Sequence, residues 1–264
     1  MIKGNLEIFN IPQPSPWPLL LRFSIFNSLC IGIIWAENLL SVWLVTTFLA
    51  LSIFLSGIWM SDASWESYSI GLTSLEINLS LKVSMIWFIR REVMFFFSFL
   101  SSYIALSLCG EVSSGRVWPP IHIPQMMARS VPLLNTIILL SRGVSLTWAH
   151  LSLMSSKRES ARIGLLITLI LALSFTLLQI LEYKEGVFCM NDSVFGSIFY
   201  LSTGFHGIHV FVGSSLLLIC MIHLWGNNVY TRGNHVFLEL RSWYWHFVDV
   251  VWLFLFLLMY CQFL

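Results

Sequence analysis

Apolar runs of about twenty residues, the length that crosses a bilayer as a helix, recur seven times along the chain with polar intervals between them. They fall at about 17–36, 39–60, 77–108, 131–154, 161–182, 195–225 and 238–263. The third is long enough to span with a tilt. A polar stretch, SDASWESYSIGLTSLEINLS, separates the second run from the third. In the longest interval, CGEVSSGRVWPPIHIPQMMARS, the pair Pro119-Pro120 stops any helix. The pattern predicts an all-α polytopic membrane protein of seven transmembrane helices, with residues 1–264 as one domain and no internal repeat.

Composition narrows the class. The chain is 57% hydrophobic and 10% charged, whereas soluble domains carry about 25% charged residues. The apolar residues are spread over the whole length, which excludes a soluble domain with one anchor. A net charge of +1 and the lack of a basic block leave nothing to track phosphates, so no nucleic acid is expected as a partner. Cys30, Cys109, Cys189, Cys220 and Cys261 stand isolated, which argues against a disulfide framework and a zinc site. The N-terminal segment MIKGNLEIFNIPQPSPWP lacks the pattern of a cleaved signal or a transit peptide, so the spans themselves are expected to carry the chain to its membrane.

Charge also gives an orientation. With seven spans, the side that holds the N-terminus carries eight Lys and Arg, including the KRESAR connection, against three on the other side. The positive-inside bias puts the N-terminus on the cytoplasmic or matrix side.

Ionisable residues inside the spans are the candidates for chemistry. His206 and His209 lie one turn apart in STGFHGIHVFVGSS, a spacing that suits a metal or haem. Gly204, Gly207 and Gly213 line the same segment, and small residues allow a close helix contact across which histidines can hydrogen-bond. A metal site needs three or four ligands and the others are scattered, so no metal is expected. His246 and Asp249 share a face of the last span, where an intrahelical bond, a link to a neighbouring helix and a proton relay are all open. No titratable side chain follows Asp249 on that face until the far end, which favours structure over relay. In IRREVMFFFSF, Glu92 needs a partner that the adjacent Arg90 and Arg91 cannot supply on a helix. Arg142 lies ~16 Å from the outer end of the fourth span and Glu92 ~20 Å from the opposite end of the third. Those depths overlap in antiparallel neighbours, which predicts a Glu92–Arg142 pair. No nucleophile elbow, Walker loop or dinucleotide-binding motif appears, so no catalytic residue and no cofactor site are assigned.

Several segments together resemble subunit III of cytochrome c oxidase. They are PSPWPL at Pro14 to Leu19, REVMFF at Arg91 to Phe96, WPP at Trp118 to Pro120, and VPLLNT at Val131 to Thr136. GVSLTWAH at Gly143 to His150, FTLLQ..EY ending at Tyr183, TGFHGIHV at Thr203 to Val210 and WYWHFVDVVWLFLF at Trp243 to Phe256 complete the series. They run in family order across nearly the whole chain. The resemblance implies a non-redox core subunit of a respiratory oxidase that reduces oxygen to water with proton pumping. It implies haem and copper in partner subunits I and II, and a first helix pair splayed from a five-helix bundle around a V-shaped cleft of phospholipids. Support of proton uptake by the catalytic subunit is implied too. Lipid-cleft candidates are then Glu92, Arg90, Arg91, Trp59, Asp62, Glu66, His223 and His235. The polar pairs of His206, His209, His246, Asp249, Glu92 and Arg142 become structural.

The chain departs from the family where WMSD keeps Trp59 and Asp62 but loses a tryptophan and an arginine. Arg90, Arg91 and Arg142 stand where the family tends to have small or apolar residues. Two accounts are open: a shift of the phosphate contacts into the third span, or codons that some organellar codes read as serine. The resemblance to mitochondrial members implies the mitochondrial inner membrane, with a bacterial plasma membrane as the alternative. The equivalent subunit of a quinol oxidase is a close rival. An independent seven-helix proton-coupled transporter or receptor is the rival from another class.

Overall fold

The computed structural model describes residues 14–37, 41–69, 75–110, 117–118, 120, 129–226 and 235–261. Among them, seven helices are long and apolar enough to cross a bilayer. They are α1 (Trp17–Ala36), α2 (Val42–Ser69), α3 (Leu75–Cys109), α4 (Val131–Met154), α5 (Arg158–Glu185), α6 (Val194–Gly226) and α7 (Val236–Leu255). The last continues into a π-helical turn, Phe256–Tyr260. No strand occurs among the described residues, in keeping with an all-α polytopic fold. Pro119, and most of the interval around it, lies outside the described residues.

Local sequence explains where several helices begin and end. Prolines open α1 and α4, where a missing N–H costs nothing because it has no intrahelical partner. The polar SDASWESYS that follows the second apolar run is helical to Ser69; it holds neither glycine nor proline to break the helix. Most of KRESAR likewise belongs to the first turn of α5, after a tight reversal with Ser156 at φ 63°.

The chain divides into two compact units, residues 1–81 and 82–264. In the first, α1 and α2 pack together. Ser24 and Ser52 share a 2.8 Å hydrogen bond, and the Trp17 indole donates to Asp62. In the second, α4 packs along α5 and α7, and α6 along α5 and α7. The backbones come close where side chains are smallest. A Cβ on Gly164 of α5 would meet the Ala149 Cβ of α4 at 2.8 Å, and one on Gly213 of α6 would meet the Trp245 ring at 2.8 Å. The other two glycines expected to mediate such contact, Gly204 and Gly207, have open space beside them. α3 docks differently, through aromatic rings: Phe95 meets Phe205 of α6 at 5.1 Å and Phe96 meets Phe247 of α7 at 6.2 Å.

Two clusters fill the interior of this second unit. One is aromatic, built on Phe96, Tyr103, Phe175, Phe199, Trp252 and Tyr260. The other is aliphatic, built on Leu146, Ala149, Leu165, Leu217, Leu224 and Leu238. Polar side chains lie among these apolar ones, and in a bilayer each needs an internal partner.

Candidate functional site

The charged and imidazole side chains close on one another across helix seams. Glu92 of α3 meets His209 of α6, with Glu92 Oε2 2.9 Å from His209 Nε2. The other ring nitrogen, Nδ1, lies 2.7 Å from the Phe205 carbonyl one turn back. A carbonyl only accepts, so Nδ1 carries a hydrogen. Phe96 packs edge-on against the imidazole at 5.0 Å.

Arg142 of α4 is fully buried and meets Asp249 of α7. Its Nε donates to Asp249 Oδ1 at 3.0 Å, and Nη2 lies 2.9 Å from the same oxygen. The guanidinium lies between two rings, 4.7 Å from the Phe175 centroid and 4.8 Å from that of Trp245. Such faces attract a cation most strongly when water is excluded. Gly143 makes room for the pair, since a Cβ there would stand 3.3 Å from Asp249 Oδ2.

The expected Glu92–Arg142 pair therefore does not form. The depth estimate fixed height along the helices, but α3 docks on α6 and α7 while α4 lies along α5 and α7. Each charge takes the partner on its own seam. His246 Nδ1 stays 3.8 Å from Asp249 Oδ2, too far for the intrahelical hydrogen bond. Of the three roles open to that pair, Asp249 takes the link to a neighbouring helix. His206 and His209 also part company. A three-residue step turns a helical side chain by about 60°, enough to send His209 to α3 and His206 inward. His206 is 1% exposed and packs against Phe175 at 5.7 Å and Trp252 at 5.0 Å.

The remaining candidates are dispersed. Asp62 binds Trp17, and Trp59 is exposed on α2. The Glu66 side chain lies outside the described residues. Arg90 and Arg91 are exposed on α3, and the Arg90 guanidinium lies 5.0 Å from the Trp87 ring centroid. His223 lies in the last turn of α6, and the His235 ring lies tilted against that of His150, with centroids 5.6 Å apart. Among the described residues no three His, Cys, Asp or Glu gather as metal ligands.

The sequence reading missed a tie at the start of α7, where Lys82 Nζ lies 2.8 Å from Glu239 Oε2. Both residues precede the most apolar part of their helices, and that shared position was the available signal. It also missed the hydroxyl ties along the seams: Ser145 to Thr168 at 2.7 Å, Tyr183 to Thr203 at 2.7 Å, and Trp252 Nε1 to Thr136 at 3.1 Å. Serines and threonines are too common in this chain to single these out.

The family model described as cytochrome c oxidase subunit III matches residues 7–262. A protein of Lumbricus terrestris named cytochrome c oxidase subunit 3 is 42% identical over 254 residues, 96% of this chain and 96% of its own. Its namesake in Drosophila yakuba is 40% identical over 96% of this chain and 95% of its own. That of Triticum aestivum is 38% identical over 98% of both.

Proposed function

The chain belongs to the cytochrome c oxidase subunit III family, and from that premise we propose that it is the accessory, non-redox member of its complex. It is a multi-pass membrane protein of a family that forms part of an oxidoreductase, complex IV. On this reading the redox centres sit in partner subunits I and II. This chain stabilises the catalytic subunit, holds phospholipids and supports proton uptake, in the mitochondrial inner membrane with its N-terminus on the matrix side. The carrying observation is the family match over residues 7–262 of a chain with seven spans. The commitment of Glu92, His209, Arg142 and Asp249 to ties between helices supports a role in holding structure rather than turning over substrate.

The lipid contact on this reading falls at Arg90. A groove of about 740 Å³ runs between α3 and α7, lined by Val93, Phe97, Ile104, Phe247, Val250 and Phe254. Arg90 precedes Val93 and Phe97 by three and seven residues and so lies on their face of α3. Its lean over Trp87 sends the charge back along the helix, leaving the groove for an acyl chain. Native mass spectrometry of the complex with Arg90→Leu should show the loss of one anionic phospholipid. An unchanged lipid complement removes this contact.

Purification in mild detergent tests the function. Haem absorbance is expected to travel with this chain, and the preparation is expected to oxidise reduced cytochrome c. Oxidation of quinol alone would assign the chain to a quinol oxidase. A haem-free chain that is stable without partners would overturn the reading in favour of a transporter or receptor.

A further inference from the structure

At the C-terminal end of α5, four polar side chains converge with too few bonds between them. Asn135 from α4, Gln179 and Glu182 from α5, and Tyr260 from the π-helical turn are each at least nine-tenths buried. The bond that joins two of them, Asn135 Nδ2 to Gln179 Oε1, is stretched to 3.5 Å. Asn135 Oδ1, Gln179 Nε2, both carboxyl oxygens of Glu182 and Tyr260 Oη make none. Glu182 lies within interaction range of Tyr260 and Gln179, but neither contact has the geometry of a full hydrogen bond. The neighbouring hydroxyl of Tyr183 is already given to Thr203. The rings of Phe199 and Trp252, 5.4 Å and 6.1 Å from that of Tyr260, wall off one side.

Buried polar groups in native proteins are almost all bonded, and leaving five atoms open would be costly. Direct contact does not satisfy them in this arrangement. The Gln179 amide and the Tyr260 hydroxyl carry three hydrogens for the three acceptor oxygens on Asn135 and Glu182, yet none of these bonds is closed. A small molecule that both donates and accepts would close them, which describes water. A buried water typically makes about three bonds to groups of this kind.

We propose that Asn135, Gln179, Glu182 and Tyr260 form a binding site for ordered water. At least one molecule donates to Glu182 and Asn135 and accepts from Tyr260 or Gln179, tying α4, α5 and the end of α7 through a shared guest. This rests on the chain's own buried atoms and stands apart from the function proposed above.

A cryo-EM map of the assembled complex that resolves water tests it. Density is expected about 2.7–3.2 Å from a Glu182 oxygen and from two of the other side chains. Side chains closed directly on one another, with no density between them, overturn the proposal. So does density at about 2.3–2.6 Å from several oxygens, the contact of a hard cation. A thermodynamic cycle gives a second reading. Asn135→Leu and Tyr260→Phe share no direct bond, so strictly additive shifts of the thermal midpoint would contradict a bridging water. The expected result is a double variant shifted by clearly less than the sum, with that coupling lost in a Glu182→Leu background.

Discussion

Asp249 balances a guanidinium that has no access to water. Removing one member of a buried ion pair is more harmful than removing both, because the survivor is left charged and alone. Asp249→Ala is expected to destabilise the fold by about 3–5 kcal/mol, and the double variant Arg142→Leu with Asp249→Leu by markedly less. Thermal dissociation of this chain from its complex measures both. Equal losses from the single and double variants would show that Arg142 does not depend on Asp249. The same pair shows where sequence reading stops. Counting residues placed Arg142 and Glu92 at overlapping depths, and both are indeed paired. Rise along an axis says nothing about rotation around it, so the partners came out wrong. His206 and His209 repeat the lesson, since a modest angular step sent them to different surroundings.

Among the elements, α4 and α5 owe their close approach to one residue on each side, Gly164 and Ala149. Without a hydrophobic force to drive helices together in lipid, such contacts rely on packing and hydrogen bonds. The Ser145–Thr168 bond lies one turn from Gly164 on the same seam. Gly164→Val forces the helices apart and is expected to cost about 1–3 kcal/mol, lowering the thermal midpoint of the complex. Gly207→Ala, with nothing within 4 Å, should leave it unchanged; matching losses at both sites would contradict the packing described for α5. The spans themselves were legible because a bilayer demands a long apolar run of each helix. Which glycine meets a neighbour was not legible, since that depends on which face of α6 the neighbouring helices cover. Nor was the helical continuation of α2, where polar residues hid an unbroken chain of helix-compatible positions.

At the scale of the whole molecule, the proposed orientation has all seven candidate helices among the described residues cross the membrane. Placing the N-terminus on the matrix side predicts that an N-terminal epitope is reached by antibody only after the inner membrane is permeabilised. Labelling in intact mitoplasts would reverse the orientation. The family motifs, strung along the chain in order, made the identity of the family legible. The sites were less so, because most of the buried polar side chains serve contacts that exist only once the helices are assembled.

The π-helical turn Phe256–Tyr260 can be regarded as one residue more than an α-helix would use over the same rise. Its effect is to absorb that residue locally. Deleting Leu257 would let α7 run on as a regular helix, with nearly the same length and hydrophobicity, so membrane insertion should survive. Because the turn already carries the surplus residue, the side chains beyond the deletion would keep nearly the same direction, and Tyr260 would stay close to the Phe199 and Trp252 rings. Deleting Val250, within the α-helical part, would instead swing everything beyond it by roughly 100°. Deletion of Val250 should therefore do far more damage than deletion of Leu257, a contrast readable from the thermal midpoints of the two complexes. The turn thus marks a stretch of α7 where the chain can lose a residue without losing its register.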